Sequence, residues 1–371
     1  MIHYKFSKDI NKEFSDLLKV RVNEYFRTNK LQKKANFEMF CKSALALSLY
    51  LIPYFIILFA GITNVPTLFV LWILMGFGIS FIGTSIMHDA LHGAYSNNKL
   101  VNSIMGFSAA LLGVDPTMWK IQHNVLHHTY TNIEDADEDI EPRFVLRFSP
   151  HQPKRWFHEF QHLYVWFFYS MSTVIWITAK DFVKLFKYRE KGFVKAGSDF
   201  RKKLMFIAFR KASYFAFFLV LPIVMLDIPV GTTLLMFFTM HFVAGMSLSL
   251  IFQPAHVIET SNFIEQDEEW INENWSVHQI LTTTNFAMKS KFIYWFSGGL
   301  NFQLEHHLFP NICHVHYPAI SKILQKTTSE FNLPYHAKKT FLGAIYAHYK
   351  MLKDLGASSP VSVEKPVKLA A

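Results

Sequence analysis

Cysteine is scarce in this chain of 371 residues, with Cys41 and Cys313 as the only two. Cysteines so far apart make no disulfide framework of the kind that holds small secreted domains, and they form no Cys-x-x-Cys pair for zinc or redox chemistry. The soluble parts of the chain are therefore expected in a reducing compartment.

Charge is also sparse, at 18% of the residues, whereas 51% are hydrophobic and 38 are phenylalanine. An ordinary soluble domain has about a quarter charged residues. The first forty residues contain no long apolar run, so no cleavable signal peptide is expected. This composition favours one membrane-embedded unit over two or three soluble domains.

What the chain has in abundance is long apolar sequence. Four stretches are candidate spans, at residues 44–60, 66–87, 212–226 and 230–252. The third is short, and it can be extended toward the N-terminus only if the side chains of Arg210 and Lys211 reach toward the membrane interface. Very short connections join them in two pairs, which predicts two helical hairpins. The sequence thus predicts an all-α integral membrane protein with four transmembrane helices.

The basic residues predict the orientation of these hairpins. Neither short connection has a lysine or arginine, so all 37 basic residues lie before, between and after the hairpins. The positive-inside tendency places those three regions on the cytoplasmic side of a bacterial cell membrane or the endoplasmic reticulum. The net charge of +9 is then expected to meet anionic lipid or an acidic partner protein, and not nucleic acid.

The chain is accordingly expected to divide into six segments. These are a cytoplasmic N-terminal segment (1–40), a first hairpin (41–87), a cytoplasmic or interfacial region (88–211), a second hairpin (212–253), a further cytoplasmic region (254–355) and a disordered tail (356–371). Two other apolar stretches are also notable. The stretch 104–114 is expected either in the membrane interface or packed beneath the functional site, and the stretch 164–179 is expected as an interfacial or re-entrant helix. A six-span topology that uses the second of them stays open.

Seven histidines form three clusters beside these stretches: His88 and His92; His123, His127 and His128; His306 and His307. Residues four apart share a helix face, so the first two clusters each offer paired imidazoles to a metal ion. Adjacent histidines are poor core residues, because buried rings need polar partners. For each cluster alone, solvated or interfacial histidines remain the alternative.

Other candidates lie close to the clusters. His256 follows the fourth stretch and is either an eighth ligand or a structural histidine. Gln303 is either a ligand, a partner of bound water or a polar surface residue. Four side chains are candidates to accept a hydrogen bond from an imidazole N–H group: Asp89, Asn132, Asp137 and Asp139. For the last three, the alternative is that they belong to a solvated acidic loop.

Seven or eight imidazoles are more than one tetrahedral zinc ion uses, so a site for two metal ions is expected. It would be held in a helical cap on the cytoplasmic side of the spans. Neutral imidazole suits iron, copper, zinc or nickel. The spans carry none of the Glu-x-x-His pairs of soluble di-iron bundles, so the site would be nearly all histidine.

The order and spacing of the three clusters resemble those of the membrane fatty-acid desaturases over roughly residues 40 to 340. Two motifs are similar to the group in which glutamine opens the third histidine box: Gln-His-Asn-Val-Leu-His-His-Thr-Tyr-Thr-Asn at 122–132 and Trp-Phe-Ser-Gly-Gly-Leu-Asn-Phe-Gln-Leu-Glu-His-His-Leu-Phe-Pro at 295–310. That group includes front-end desaturases, which insert a double bond between an existing one and the carboxyl end.

The resemblance implies two irons that activate O₂ and remove two hydrogens from a long acyl chain. It implies the seven clustered histidines as ligands, with His256 as the extra histidine between the second and third boxes. Gln303 stands where many relatives have histidine. The chain lacks the His-Pro-Gly-Gly motif of a fused cytochrome b5 domain, so the resemblance implies electrons from a separate ferredoxin or cytochrome b5. The basic run 201–203 is a candidate docking point or membrane anchor.

Two other functions stay open. The nearest is a lipid hydroxylase or ketolase of the same superfamily, because the histidine boxes do not separate these reactions. The other is a membrane metal-binding or transport protein without redox chemistry. Such a protein predicts ionisable residues deep in the spans, and the second and fourth stretches offer only His241.

Overall fold

The computed structural model describes residues 4–141, 144–264, 270–271 and 273–357. The predicted disordered tail lies outside the described residues from position 358 onward.

Helices make up nearly all of the regular structure. The α-helices are Lys12–Thr28, Phe37–Phe59, Val65–Phe81, His88–Leu91, Lys99–Gly106, Pro116–Lys120, His128–Tyr130, Gln161–Ile175, Asp181–Glu190, Ser198–Phe215, Leu221–Met225, Val230–His256, Trp275–Thr282, Lys291–Phe296, Gln303–Leu308, Tyr317–Glu330 and Phe341–Gly356. Wider π turns are Ile82–Met87, Ile121–His127, Trp176–Lys180 and Ala216–Val220, and 3₁₀ turns are Phe107–Leu112, Trp156–Phe160 and His314–His316. Two parallel pairs of short strands are Lys5–Phe6 with Trp270–Ile271 and Asn285–Phe286 with Ala337–Lys338.

Four of the described helical segments are long and apolar enough to cross a membrane. We call them span 1 (Phe37–Phe59), span 2 (Val65–Leu91), span 3 (Ser198–Met225) and span 4 (Val230–His256). They overlap the four predicted stretches almost completely, which confirms the predicted all-α membrane fold. Their outer faces expose large apolar side chains to the surroundings, as lipid-facing helices do.

Spans 2 and 3 differ from the prediction in length. Span 2 continues to Leu91 and so includes His88, while span 3 begins at Ser198, well before the predicted position 212. Arg210 and Lys211 do not interrupt span 3, because each pairs with a carboxylate. Lys211 Nζ lies 2.5 Å from Asp181, and Arg210 pairs with Asp115.

The spans pack closely where their residues are small. Span 2 packs between spans 1 and 4. A Cβ atom on Gly78 of span 2 would come within 2.8 Å of the Tyr50 backbone, so only glycine permits this approach. The helix Gln161–Ile175 covers another face of span 4. The stretch 164–179 therefore belongs to a helix that packs along the bundle, and it is not among the four candidate spans.

The shorter apolar stretch at 104–114 forms an amphipathic segment. It comprises the helix Lys99–Gly106 and the 3₁₀ turn Phe107–Leu112, which together are too short to be a candidate span. Leu100, Ile104 and Phe107 are each more than 60% exposed, whereas Leu112 is buried. This exposed apolar edge supports the predicted location in the membrane interface.

A helical cap covers the ends of spans 2 and 4. The helix Lys12–Thr28 buries one face, which includes Phe14 and Leu18, against the helix Tyr317–Glu330. The short helices Trp275–Thr282 and Gln303–Leu308 pack beneath these two. The cap thereby brings the third histidine box to the ends of the spans that carry His88 and His256.

Candidate metal centre

Local helix geometry positions each histidine box. A π turn, Ile82–Met87, precedes His88, and a second π turn, Ile121–His127, contains His123 and His127. Such turns occur frequently at functional sites. The helix that leads into the second box begins at Asp115, whose carboxylate accepts hydrogen bonds from the backbone N–H groups at 117 and 118.

The eight predicted imidazoles meet at one place. Seven of them form two groups, and within each group the potential ligand atoms lie within 4.8 Å of one another. The four-histidine group is His88, His92, His123 and His306, and the three-histidine group is His127, His256 and His307. His128 lies between them, with its ring centre 4.5 Å from both His306 and His307. Residues more than two hundred positions apart thus share a single centre.

The inward nitrogen atoms fit bound metal. Nε2 of His123 lies 3.2 Å from Nε2 of His88 and 3.3 Å from Nε2 of His128, so these three ring nitrogens face one another. The buried Nε2 atoms of four further histidines have no hydrogen-bond partner in the described structure: His92, His256, His306 and His307. Buried polar atoms without partners are rare, and cations between the rings would satisfy them. The donor set therefore fits two ions held by imidazole.

Burial keeps most of these rings neutral, which is the form that binds metal. Desolvation, reinforced by neighbouring imidazoles, lowers the pKa of His92, His128, His306 and His307 well below its usual value. For His123, desolvation lowers the pKa to about 3.

His127 differs because two carboxylates face it. Burial disfavours its charged form, but Asp137 and Asp139 outweigh that effect and raise its pKa to about 9. Nδ1 of His127 lies 3.0 Å from both carboxylate oxygens of Asp137. A metal ion that replaces the Nε2 proton would leave the Nδ1–H group donating to Asp137.

The other predicted carboxylates lie farther from the imidazoles of the three boxes. Oδ2 of Asp139 lies 3.4 Å from Nδ1 of His123, and Oδ1 of Asp89 lies 3.8 Å from Nδ1 of His88. Asp89 also accepts a 2.9 Å hydrogen bond from Nδ1 of His314. The predicted acidic partners therefore line the outer side of the first two boxes.

Asn132 and Gln303 are both buried beside the histidine boxes. The side chain of Asn132 donates to the backbone carbonyls of His256 and Asn262, at 3.0 and 3.1 Å, and not to an imidazole. Its backbone N–H donates to Asp137, so it positions that carboxylate. Gln303 is buried one turn before the third box, and its amide nitrogen has no partner among the described residues, which does not fit a surface residue.

Three partners of the imidazoles lie in segments that sequence reasoning missed. Nδ1 of His307 donates to Oε1 of Gln279 at 2.8 Å. Nδ1 of His306 lies 3.2 Å from the Tyr317 hydroxyl, and Nδ1 of His256 lies 3.3 Å from the backbone carbonyl at 282. The one available signal was the polar residues within the otherwise apolar helix Trp275–Thr282.

A third group of potential ligands lies beside the centre but already has its cation. Asp89, Cys313 and His314 place ligand atoms within 4.8 Å of one another. The ammonium of Lys42, from span 1, lies 3.2 Å from Nε2 of His314 and 3.8 Å from the centre of the Tyr294 ring. This buried lysine supplies the positive charge that the cluster needs, so the cluster is a polar contact between span 1 and the cap.

A cavity of about 200 Å³ touches both histidine groups. Its lining includes His88 and His123 of the first group and His127 and His256 of the second. From there it extends into the span bundle, where its apolar lining includes Gly83, Leu112 and Leu248. The cavity is therefore a slot for an apolar ligand directly beside the imidazoles.

Known proteins are similar in sequence to most of the chain. The fatty acid desaturase family model matches residues 64–339. The chain is 35% identical over 360 residues to an sn-1 linoleoyl-lipid 6-desaturase of Arthrospira platensis, covering 94% of each protein. It is 36% identical over 349 residues to an acyl-lipid (8-3)-desaturase of Physcomitrium patens, covering 93% of this chain and 72% of that relative.

A third relative, an sn-1 linoleoyl-lipid 6-desaturase of a Synechocystis species, is 31% identical over 355 residues, with 93% of this chain and 96% of the relative covered. These matches agree with the predicted resemblance and confirm an oxidoreductase. The chain belongs to the fatty acid desaturase family.

Proposed function

We propose that this protein is an O₂-dependent acyl-lipid desaturase of the front-end type, with two irons held by the eight histidines. The observation that carries the proposal is the apolar cavity in contact with both histidine groups. The names of the relatives support the substrate class, because each describes desaturation of an acyl lipid. Desaturation of a linoleoyl chain at position 6 adds a bond on the carboxyl side of existing ones, which is the front-end pattern.

The overall reaction balances only with an external reductant. Two adjacent methylenes lose two hydrogen atoms, which supplies two electrons and two protons. A donor adds two electrons, and solvent adds two protons, so that O₂ is reduced to two molecules of water. Bound iron would supply the activation of O₂ and the oxidation of the C–H bonds. We propose that a separate ferredoxin or cytochrome b5 supplies the electrons from the cytoplasmic side.

The chain's own residues orient the substrate and exclude water. The Trp119 ring centre lies 4.5 Å from that of His123, and the Phe252 ring centre lies 6.3 Å from that of His88. Both aromatic side chains also line the cavity. An acyl chain held against them has few orientations, so one pair of C–H bonds would be presented to the metal centre. The same apolar lining keeps water away from the oxidant.

One part of the cavity lining is polar and suits the ester end of an acyl lipid. Lys180 and Asp139 both line it. The Lys180 ammonium lies 4.5 Å from the centre of the Trp176 ring and forms no ion pair among the described residues. It is thus available to donate a hydrogen bond to a substrate carbonyl or phosphate oxygen.

Lipid analysis of a host that makes linoleoyl lipids but lacks this activity tests the proposal. Cells expressing the chain should contain acyl chains with a new cis double bond on the carboxyl side of the existing ones. The variants His127→Ala and His306→Ala should insert into the membrane but form no product. Hydroxylated chains without new double bonds would favour the hydroxylase instead.

Metal analysis of the purified protein tests the proposed cofactor separately. The expected result is two irons per chain, with most of the metal lost in His306→Ala because that ring belongs to the four-histidine group. Stoichiometric zinc without iron, in protein that forms no desaturated product, would contradict the proposed di-iron centre and favour a protein without redox chemistry.

A further inference from the structure

One imidazole of the centre differs from the others in its access to solvent. Seven of the eight histidines are buried, whereas His92 is partly exposed. Its ring still belongs to the four-histidine group, with its centre 4.7 Å from that of His88 and 4.9 Å from that of His306. His92 is therefore the point at which the centre comes closest to the protein surface.

An open cavity of about 580 Å³ leads to His92. It is distinct from the apolar cavity, with which it shares no lining residue. Three basic residues and no acidic residue line it; the basic ones are Lys99, Lys120 and Arg210. We call it the basic cavity.

The two lysines of the basic cavity are available to a partner. Lys99 and Lys120 are exposed, and neither forms an ion pair among the described residues. Arg210, by contrast, is paired with Asp115. The exposed apolar edge around Ile104 and Phe107 adjoins Lys99, so the lysines lie just outside the level expected for the membrane surface.

The basic cavity suits electron delivery better than substrate binding. An acyl chain must reach both histidine groups, and the apolar cavity touches both, whereas the basic cavity touches His92 alone. Electrons need only a close approach to one ligand. Electron-transfer encounters also have small interfaces in which exposed charges set the association rate, as a pair of free lysines could do here.

We infer that the basic cavity is the docking surface for a small acidic one-electron carrier protein, with Lys99 and Lys120 as its recognition residues and His92 as the nearest ligand. The inference rests on the proposed function, which needs two electrons per turnover. Two reduced carrier molecules dock in succession, and each leaves oxidised by one electron. The run 201–203 lines neither cavity, so it is assigned no part in this docking surface.

Direct binding measurements test this surface. The purified protein in lipid nanodiscs is immobilised, and its affinity is measured for a plant-type [2Fe–2S] ferredoxin and for the soluble domain of cytochrome b5. At least one carrier should bind the wild type, more weakly as salt rises. The double variant K99E/K120E should lose about tenfold or more in affinity, together with most of the salt dependence. K99R/K120R should retain both.

A matched variant and two further readouts keep the result specific. R201E/K202E reverses the same amount of charge outside the basic cavity and should bind within about twofold of the wild type. The iron content of K99E/K120E should equal that of the wild type, which shows that the centre is intact. Binding to phosphatidylglycerol vesicles is measured in parallel.

Three outcomes would overturn the inference. The first is an unchanged carrier affinity in K99E/K120E. If that variant also loses vesicle binding, the two lysines bind lipid phosphate instead. The second is a loss of carrier affinity in R201E/K202E equal to that in K99E/K120E, and the third is a wild-type protein that binds neither carrier. Failure of the proposed function would instead appear as a wild type that forms no double bond in cells, whatever the binding result.

Discussion

At the scale of single residues, the centre depends on what the outer nitrogen of each imidazole contacts. Asp137 makes the closest carboxylate contact, because both of its oxygens lie 3.0 Å from Nδ1 of His127. The same carboxylate accepts the backbone N–H groups at 132 and 139, at 2.9 Å each. One buried side chain therefore fixes both a ring and the loop that follows it.

Asp137→Asn should weaken metal binding while the fold is retained. The amide keeps the shape of the carboxylate but removes its charge. Its NH₂ group would also face one of the backbone N–H groups that now donate a hydrogen bond to the carboxylate. Loss of such a partner costs roughly 10- to 100-fold in metal affinity. Iron retention against a chelator is the measurement.

Asp135→Asn is the control, since Asp135 is exposed and asparagine accepts its positive φ of 59°. This variant should keep its iron as the wild type does. Equal retention in Asp137→Asn and the wild type would show that Asp137 does not support the centre.

At the scale of elements, the third box lies on a helix too short to be stable by itself. The helix Gln303–Leu308 is held from outside by the side chain of Asn285, which accepts from the backbone N–H of Leu304 at 2.9 Å and donates to Glu305 at 2.8 Å. The hydroxyl of Tyr335 donates to the other oxygen of Glu305 at 2.7 Å. Burial raises the pKa of Glu305, and the side chains that donate to it, Asn285 and Tyr335, are neutral.

Tyr335→Phe should loosen this helix. The substitution leaves a buried oxygen of Glu305 without its donor, which costs about 1–3 kcal/mol. A lower melting temperature and a reduced iron content are expected, measured on protein in nanodiscs. Tyr346→Phe is the matched control, because Tyr346 is 68% exposed. Identical melting curves for the two variants would contradict the bracing role of Tyr335.

At the scale of the whole molecule, the apolar cavity connects the metal centre with the interior of the span bundle. Leu248 lies eight residues before His256 on span 4, or about 12 Å along the helix at 1.5 Å per residue. A Cβ atom on Gly83 would lie 3.1 Å from Leu112 and 3.5 Å from Leu248, so these three residues form the end of the lining that is farthest along spans 2 and 4 from the histidines. The depth of this end limits the length of acyl tail that fits beyond the centre.

Leu248→Phe should therefore shift the substrate preference toward shorter acyl chains. The larger ring fills the inner end, and a long tail then pushes its reactive methylenes past the metal centre. Product ratios from a series of acyl chains of increasing length provide the measurement. Leu235→Phe, at a position 57% exposed on the same span, should leave the ratios unchanged. An unaltered length preference in Leu248→Phe would show that the tail lies elsewhere.

The sequence predicts the parts of this molecule that depend on local pattern. Long apolar runs indicate the spans, and the four-residue spacing of His88 with His92 indicates a shared helix face. The extent of span 3 was not predictable, because it depends on Asp115 and Asp181, which pair with Arg210 and Lys211 from distant segments.

The partners of the third box were missed for the same reason. Gln279 and Tyr317 lie at no regular spacing from His306 and His307, and only the folded cap brings them together. The split of the imidazoles into two groups is likewise a property of tertiary packing.

The π turn Ile121–His127 makes the second box sensitive to a kind of change that does not alter any side chain. Such a turn accommodates one residue more than an ordinary helical turn. If the backbone of this turn relaxed to regular α-helical winding with all its residues kept, everything downstream would rotate by about 100°. His128 would then point away from its neighbours with its chemistry intact, so the position of this ring depends on the winding of the turn as well as on the residue type.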